Sequence, residues 1–410
     1  MMIQKSTISC GYTNLGIQWE RQIILNLTAI ELFDTVVHDF LLEDLRLAGI
    51  CGTALQWFRS YLQDRPFRVI IDDVVSEVGT MTTGVPQGSV MGPILYSVYT
   101  TELGCILDEL GVSYHFYADD TQIYLQIRNL VDERNKIESI LQIIKRWMIS
   151  KKLKINPDKT EIIIFGSRHR LNELDVGDSF TLDDSRITLS SKVRSLGVVM
   201  DETLSLKEHI RSMKGKLIFS LINIARISKY LNRNHKMQLV HTLILSRTDF
   251  CNAILYRLPD SDLRPLQLII NSAARLVIGM PRFSVNHITP VLIDLHILPI
   301  KARIKYKICT IVYKALKFEE PKYLWELLQR RTALPSLRQS SARFLEEPLY
   351  SASASSDRCF AHCAPRLYNT LPASLQAIDS YECFRRQLKT FIFSETFDLE
   401  NETVNDPFKL

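Results

Sequence analysis

The stretch YHFYADDTQIYLQI, from Tyr114 to Ile127, decides how the rest of the chain is interpreted. Aromatic and branched residues alternate with polar ones on both sides of Asp119 and Asp120. This period of two is typical of a β-hairpin with two carboxylates at its tip. Two acids there are unfavourable unless a cation lies between them, and carboxylate oxygens suit Mg²⁺. The alternative is ordinary turn chemistry, because the chain also contains Asp72-Asp73 and Asp183-Asp184.

Length and charge narrow the classes of protein to consider. The chain has 410 residues, enough for a large core and two or three domains. Residues 1–200 contain 20 basic and 25 acidic residues, and residues 201–410 contain 30 and 20, so the two parts carry net charges of −5 and +10. An acidic, metal-suited part beside a basic part favours a nucleic-acid partner. The alternative is a solvated surface with unevenly distributed charge.

The eight cysteines are scattered and have neither disulfide-framework nor zinc-site spacing. Cys359, His362 and Cys363 form the only cluster, which lacks a second ligand pair, so reduced thiols are predicted. The sequence shows no apolar run of about 18 residues and no secretion signal. We therefore expect an intracellular protein, in the nucleus or cytoplasm, that is neither secreted nor membrane-bound.

Upstream of the hairpin the pattern predicts a strand, two helices and a second hairpin. The strand covers residues 23–29, a helix through Leu41, Leu42 and Leu45 is ended by Gly49, and another carries Leu55, Phe58, Tyr61 and Leu62. Residues 65–71 and 74–81 flank Asp72-Asp73 as the second hairpin.

A glycine- and proline-rich turn follows this second hairpin. It consists of Gly84, Val85, Pro86, Gln87, Gly88 and Ser89. Two glycines at this spacing let the backbone approach a ligand closely, and Pro93 suits the first turn of an apolar helix predicted to run to about Leu110. A purely structural turn is the alternative.

The order and spacing of these two motifs resemble a known family. Gly84 to Leu95, followed some 20 residues later by Phe116-Tyr117-Ala118-Asp119-Asp120, resembles the palm of reverse transcriptases from non-LTR (LINE-type) retrotransposons, most like the CR1/L2/Rex or jockey-like group. The resemblance extends over residues 24–395, with a break at the first strand.

The resemblance implies an α+β fold: a palm with an antiparallel sheet and packed helices, a helical thumb, and a mostly α-helical C-terminal region. It implies RNA-directed DNA synthesis with two Mg²⁺ ions, an RNA template, a DNA primer and dNTPs. Asp119 and Asp120 would hold metal, and Gly84, Pro86, Gln87, Gly88 and Ser89 would shape the template and nucleotide pocket. Phe33 would contact the sugar.

The chain departs from the family pattern at the first strand. The family reads roughly Leu-Asp-Leu-Ser/Thr-Ala-Ala-Phe-Asp-Thr-Val, whereas residues 25–36 read LNLTAIELFDTV. The expected carboxylate is replaced by Asn26 when the segments are aligned from the left, or by Thr28 when they are aligned from the right. A neutral side chain loses the charge that holds Mg²⁺. Glu31 or Asp34 is an alternative ligand. Residues 1–22 are also too short for the family's fingers region.

Downstream, the pattern predicts further palm elements. An amphipathic helix covers residues 131–151, and Asn156-Pro157-Asp158 forms a turn before Lys159 and a strand at 162–165. Lys159 is either a solvated lysine or, as the resemblance implies, a phosphate-contacting residue that assists catalysis. Residues 187–200 resemble the family's primer-grip hairpin, with Leu196 and Gly197 at its turn.

The remaining chain is predicted to be helical. A helix at 207–231 has one apolar and one basic face, which suits a thumb helix on a duplex backbone or, alternatively, a solvated surface. Further helices are expected at residues 235–255, 263–278, 300–328 and 384–391. The predicted regions are a weakly structured 1–22, a palm at 23–200, the thumb-like helix at 201–232, helical segments at 233–335 and 358–398, a loop at 336–357 and a tail at 399–410.

Together these features predict the reverse transcriptase domain of a non-LTR retrotransposon, degenerate and with little or no activity. The alternative is a non-catalytic nucleic-acid-binding remnant or the inert product of a decaying element. The sequence does not indicate an oligomeric state.

Overall fold

A computed structural model describes residues 22–28, 34–86, 88–117, 120–126, 130–156, 159–172, 179–182, 185–280, 287–329, 345–347 and 358–398. These residues divide into two compact units. The sheet unit lies within Glu20–Ser195 and includes Asp201–Thr203. The helical unit contains residues 196–200 and the described residues from 204 onward.

The sheet unit alternates short strands with helices. Its elements are β1 (Gln22–Thr28), α1 (His38–Leu47), α2 (Gly52–Leu62), β2 (Arg65–Phe67), β3 (Ile70–Ile71), β4 (Val74–Val75), β5 (Gly79–Met81), α3 (Gly92–Tyr99), α4 (Thr101–Glu109), β6 (Ser113–Tyr117), β7 (Asp120–Gln126), α5 (Leu130–Ser150), β8 (Glu161–Phe165), α6 (Arg168–Asn172), β9 (Ser179–Leu182), β10 (Ser185–Thr188) and β11 (Lys192–Ser195).

A four-stranded antiparallel sheet forms the centre of this unit, with strand order β6-β7-β1-β8. β6 and β7 are the hairpin predicted from the Asp-Asp motif, and β1 is the strand predicted upstream of it. Because side chains alternate across a strand, one face carries Ile23, Leu25 and Leu27, which belong to the main hydrophobic core. The opposite face carries Ile24 and Asn26.

Helices α1, α3, α4 and α5 contribute to the same core. Leu41, Leu45, Tyr99, Leu107 and Ile144 are each at most 1% exposed. α1 ends as predicted, because Gly49 adopts φ +88° and the N–H of Ile50 returns to the Leu45 carbonyl at 3.0 Å.

An ion cluster fixes the C-terminus of α5. Lys151 Nζ donates to both carboxylate oxygens of Asp44 at 2.7 and 2.9 Å and lies 3.2 Å from Glu102 Oε2. The Lys151 carbonyl accepts from the Tyr99 hydroxyl at 2.6 Å. Only 11% of the Lys151 side chain is exposed, so this lysine holds α1, α3 and α4 against α5.

The second predicted hairpin is also present. β2 pairs with β5 and β3 with β4, so the strands turn at Asp72 and Asp73. Both aspartates have positive φ, 45° and 67°, as a type I′ turn requires.

The helical unit includes most of strand β12 (Val198–Asp201), whose last residue, Asp201, belongs to the sheet unit. Its helices are α7 (Lys207–Ile227), α8 (Arg233–Val240), α9 (Ser246–Asp249), α10 (Asp260–Ile278), α11 (Thr289–Asp294), α12 (Ile300–Phe318), α13 (Lys322–Trp325), α14 (Phe360–Asn369), α15 (Ala373–Gln376) and α16 (Tyr381–Phe397). A π-helical turn at His241–Leu245 joins α8 to α9, and 3₁₀ turns lie at Ser228–Tyr230 and Asn252–Leu255.

Helix α7 has the two faces that its sequence predicts. Ile210, Met213, Leu217, Leu221 and Ile224 are buried. The exposed basic residues of the helix and the turn after it are Lys207, Arg211, Lys214, Lys216, Arg226 and Lys229.

Three helix predictions were wrong in their extent. The helix predicted to reach Leu110 is interrupted at Thr100, whose hydroxyl bonds to the carbonyls of Tyr96 and Ser97 at 3.1 and 3.3 Å. The helix predicted at 300–328 ends at Phe318, because Glu319 adopts φ +55° and Pro321 cannot continue it. The helix predicted to reach Leu255 ends at Asp249, before Cys251 at φ +52°. The predicted loop at 336–357 lies outside the described residues except for 345–347, as do the N-terminal segment before residue 22 and the tail.

Candidate catalytic site on the polar face of the sheet

Strand β1 lies between the hairpin strand β7 and strand β8. Thr28 is the Cα partner of Asp120, and Asn26 is the partner of Gln122 on one side and of Glu161 on the other. Directly paired residues share a face of the sheet, as do residues two apart. The strand register therefore puts Asn26, Asp120, Gln122 and Glu161 on one face, which we call the polar face.

Asp120 is the described acid of the hairpin tip. It begins β7, pairs with Tyr117 and is half-buried. Asn26 is its diagonal neighbour on β1, a relation that separates Cα atoms by about 7–8 Å. The expected metal ligand on β1 is thus on the same face as Asp120 and within reach of a shared ion. Asp119 lies outside the described residues.

A network of neutral side chains surrounds Asn26. Gln122 Nε2 donates to Asn26 Oδ1 at 3.1 Å and to the Ser195 hydroxyl. The Tyr124 hydroxyl donates to Gln122 Oε1 at 2.7 Å. Gln122 is thereby oriented with its amide nitrogen towards Asn26.

One donor in this network is unsatisfied. Nδ2 of Asn26 is buried and has no hydrogen-bond partner among the described residues. A buried N–H without a partner costs about 1–3 kcal/mol. An aspartate in this position would present an acceptor oxygen in place of this unsatisfied donor.

Two titratable groups flank the network. Burial raises the pKa of the Glu161 carboxyl, while the backbone N–H of Arg194 lowers this pKa by a smaller amount. Burial also lowers the pKa of the His115 imidazole, whose ring meets Tyr124 edge-on at 5.3 Å between centroids. Both shifts favour the neutral form of the side chain, so the electrostatics of this face disfavour charge.

The described residues do not supply a complete metal site. Among them no group of three His, Cys, Asp or Glu side chains lies close enough together to hold an ion. Glu161 is separated from Asp120 by the whole of β1 and by two residues along the strands, a distance of about 12 Å. The described side chains of this face therefore do not fit the paired Mg²⁺ ions that the resemblance implies.

The turn at residues 84–89 is tied to the segment that follows β1. The N–H of Gly84 donates to the Val36 carbonyl at 2.7 Å, and the Gly84 carbonyl bonds to His38 Nε2 at 2.8 Å. Gly84 has φ +88°, which favours glycine. At the other end Ser89 Oγ accepts from the N–H of Gly92 at 2.9 Å and stabilises the start of α3. Pro86 is half-buried, Gly88 is exposed and Gln87 lies outside the described residues.

The other predicted site residues have the following positions. Lys159 is exposed, and its backbone N–H donates to the carbonyl and to Oδ1 of Asn156, each at 3.3 Å. Leu196 and Gly197 both have positive φ, 46° and 90°, between β11 and β12. Phe33 and Glu31 lie outside the described residues.

Sequence reasoning missed Gln122, Tyr124, Ser195 and Glu161. A signal existed for one of them, because Glu161 is the single polar residue of strand β8, whose sequence is EIIIF. The pairing of both residues with Asn26 required the strand register.

Comparison with known proteins identifies the class of domain. Residues 3–200 match the family described as reverse transcriptase (RNA-dependent DNA polymerase). The chain is 28% identical over 189 residues to the RNA-directed DNA polymerase from mobile element jockey of Drosophila funebris, a match covering 45% of this chain and 20% of that protein. It is 30% identical over 191 residues to the probable RNA-directed DNA polymerase from transposon BS of Drosophila melanogaster, covering 44% and 20%.

The chain therefore contains a reverse transcriptase domain. Its sequence is similar to the polymerases of the non-LTR retrotransposons jockey, BS and R1. The chain spans about a fifth of the length of the jockey and BS polymerases. Members of the reverse transcriptase family depend on divalent metal and use nucleic acid as template.

Among solved structures, the chain is similar to the telomerase of Candida albicans in complex with a fragment of telomeric RNA. It has a TM-score of 0.40 and 11% sequence identity, and the match covers 78% of this chain and 53% of that one. No described helix of this chain is long and apolar enough to cross a membrane.

Proposed function

We propose that this chain is a degenerate RNA-directed DNA polymerase that synthesises little or no DNA. The observation that carries the proposal is the position of Asn26, on the same face as Asp120 and diagonal to it, where the family has an aspartate. Nucleotide addition is an in-line displacement in which two metal ions about 3.5–4 Å apart stabilise the attacking and leaving oxygens. An amide at residue 26 removes one of the charges that hold those ions.

In the ancestral enzyme, Asp119 and Asp120 bind metal, the turn at 84–89 shapes the pocket for template and dNTP, and Phe33 contacts the sugar. Lys159 assists phosphate chemistry, and Leu196 and Gly197 position the primer. The ties from Gly84 to Val36 and His38 support part of this arrangement, since they fix the turn to the segment after β1.

Primer extension with the full chain tests the proposal. An RNA template, a DNA primer, dNTPs and Mg²⁺ should give no extension above that of an Asp119→Ala, Asp120→Ala control. Clear extension above this control would contradict the proposal. Asn26→Asp, combined with deletion of two residues between Thr28 and Phe33 to restore the family spacing, should raise extension. If the repaired variant stays inactive while it still binds the template, the loss of activity has another cause than the first strand.

A second candidate function, nucleic-acid binding without catalysis, is favoured by helix α7. Its exposed face carries Lys207, Arg211, Lys214 and Lys216, opposite a buried apolar face. A basic helix of this kind contacts phosphates, and each phosphate neutralised makes log K fall by about 0.9 per unit of log salt on a duplex. Filter binding of the full chain across salt concentrations should therefore show a steep slope. A flat slope or undetectable binding leaves an inert product as the remaining alternative.

The described cysteines are all free thiols. We propose that the protein acts inside the cell, where its nucleic-acid partners are found.

A further inference from the structure

A cavity of about 730 Å³ lies within the helical unit, at the middle of α7. This volume is within the range of small-ligand pockets, about 300–1,000 Å³. The lining residues used below are Gly197, Gly215, Lys216, Phe219, Arg247 and Phe250.

Two aromatic rings of this cavity are open to solvent. Phe219 is 67% exposed and Phe250 is 37% exposed. Phe250 also lies against the turn that precedes β12, because a Cβ added to Gly197 would stand 3.3 Å from its ring. Exposed phenylalanines at the mouth of a cavity offer flat apolar surfaces to a ligand.

Two basic side chains line the same cavity as these rings. Lys216 and Arg247 line the cavity, and Arg247 Nη1 donates to Ser220 Oγ at 2.9 Å, which orients the guanidinium. Within the described part of the chain neither residue forms a salt bridge, and no carboxylate lines the cavity. The charge of the cavity therefore favours an anion.

We propose that this cavity binds one unstacked nucleotide of a single-stranded nucleic acid. The base stacks on Phe219 and Phe250, and the adjoining phosphate is held by Lys216 and Arg247. Aromatic rings combined with basic side chains are the usual means of binding single strands, because every base has a face that can stack. The inference rests on the proposed nucleic-acid binding and extends it from the duplex backbone to an unpaired base.

The test measures binding of the full chain by fluorescence anisotropy. The probes are a labelled oligothymidylate of about 12 nucleotides, long enough for a typical single-strand site, and a duplex of the same length. Phe219→Ala should weaken binding of the single strand by about 5- to 100-fold, the usual effect of losing one stacking ring. The matched control is Phe318→Ala, which removes a ring that is 53% exposed and does not line the cavity. This control should change affinity less than about twofold.

A second pair of variants fills the cavity instead of removing a ring. Gly215 lines the cavity, and a Cβ built there meets no atom within 4 Å, so Gly215→Ala causes no clash, and the longer side chain of Gly215→Leu is expected to take up space in the cavity. It should weaken single-strand binding as Phe219→Ala does, whereas Gly215→Ala should not. Both replacements favour the helix, and unchanged urea denaturation of the two variants checks that they are folded. Lys216→Ala should weaken binding more than Lys214→Ala, since Lys214 does not line the cavity.

Three outcomes would overturn the inference. One is an equal effect of Phe219→Ala and Phe318→Ala, and another is an equal loss of duplex and single-strand binding in Gly215→Leu. In both cases salt-dependent duplex binding by the unaltered chain still supports the proposed nucleic-acid binding. The third outcome, no binding of either probe, contradicts the inference and the proposed binding together.

Discussion

Replacing Asn26 by aspartate should make the free energy of unfolding depend on Mg²⁺, whereas that of the unaltered chain should not. In the absence of metal the new carboxylate meets Glu161 directly across the strand pair, at a Cβ distance of about 5 Å, and Asp120 diagonally at about 7–8 Å. At an effective dielectric constant of about 20, these pairs repel by roughly 3 and 2 kcal/mol when fully ionised.

Two effects reduce this repulsion. The substitution removes the buried Nδ2 donor that has no described partner, and this stabilises the folded protein by about 1–3 kcal/mol. Asp120 and Glu161 are both half-buried, so solvent screens part of the repulsion. We therefore expect the free energy of unfolding to fall by about 2 kcal/mol in EDTA at pH 8.

Magnesium should reverse much of that loss in the variant alone. If the rebuilt site binds with a Kd of about 1 mM, then about 10 mM Mg²⁺ returns about 1.4 kcal/mol. Urea denaturation of the unaltered chain, Asn26→Asp and Asn26→Ala, each in EDTA and in Mg²⁺, measures these differences. The reasoning is refuted if Asn26→Asp is as stable as the unaltered chain in EDTA, or if Mg²⁺ stabilises all three proteins equally.

Three further predictions concern other parts of the chain. Lys151→Met leaves the largely buried Asp44 without its cation and also removes the cation beside the exposed Glu102. We expect the free energy of unfolding to fall by about 3 kcal/mol in urea denaturation, whereas Arg46→Met, at an exposed i,i+3 pair, should give no measurable change. Glu161→Gln should raise the free energy of unfolding at pH 8 and leave it unchanged at pH 3. The reason is that a carboxyl whose folded pKa is raised contributes stability below its unfolded pKa of 4.5, and this stability is lost as pH rises through the folded pKa. An effect that does not change with pH would contradict the raised pKa of Glu161. Alkylation of the native protein at pH 8, followed by mass spectrometry, should label exposed Cys51 and Cys105 and spare Cys309, because burial raises the pKa of that thiol to about 12; labelling of Cys309 at the same rate would show that it is accessible.

The elements of the sheet unit could be predicted from the sequence because its patterns are local. The alternation around Asp119 and Asp120 predicts β6 and β7, and the apolar run after Gln22 predicts β1. The turn at Asp72-Asp73 was also predictable, since aspartate tolerates positive φ better than most residues. Prediction failed where a side chain competes with the backbone, as at Thr100, or where a break inside a periodic stretch decides the end of a helix, as at Glu319.

The candidate site could be predicted only in part, for a related reason. The substitution at residue 26 is visible in the sequence, but its consequences depend on non-local pairing. The register places Gln122 and Glu161 on either side of Asn26. Along the chain, Gln122 is 96 residues and Glu161 is 135 residues after Asn26. The periodicity of the sequence predicts individual strands but not which strands pair. The sequence therefore left two positions, Asn26 and Thr28, for the residue that replaces the family's aspartate. The strand register shows that both lie on β1, which pairs with the strand that contains Asp120.

The geometry around Asn26 also bears on the proposed loss of activity, because it shows how the sheet remains stable with a neutral residue at position 26. A metal-binding carboxylate on β1 would add a third acid to a face that already carries Asp120 and Glu161, and such a cluster is stable only while a cation is bound. Asparagine removes that repulsion at the cost of one unsatisfied donor, and Gln122 satisfies its oxygen. The substitution that abolishes the ligand therefore reduces the dependence of folding on metal. A cluster of carboxylates that binds metal is unfavourable for the metal-free fold, so under the proposed loss of activity a neutral residue at position 26 is expected to stabilise the metal-free protein.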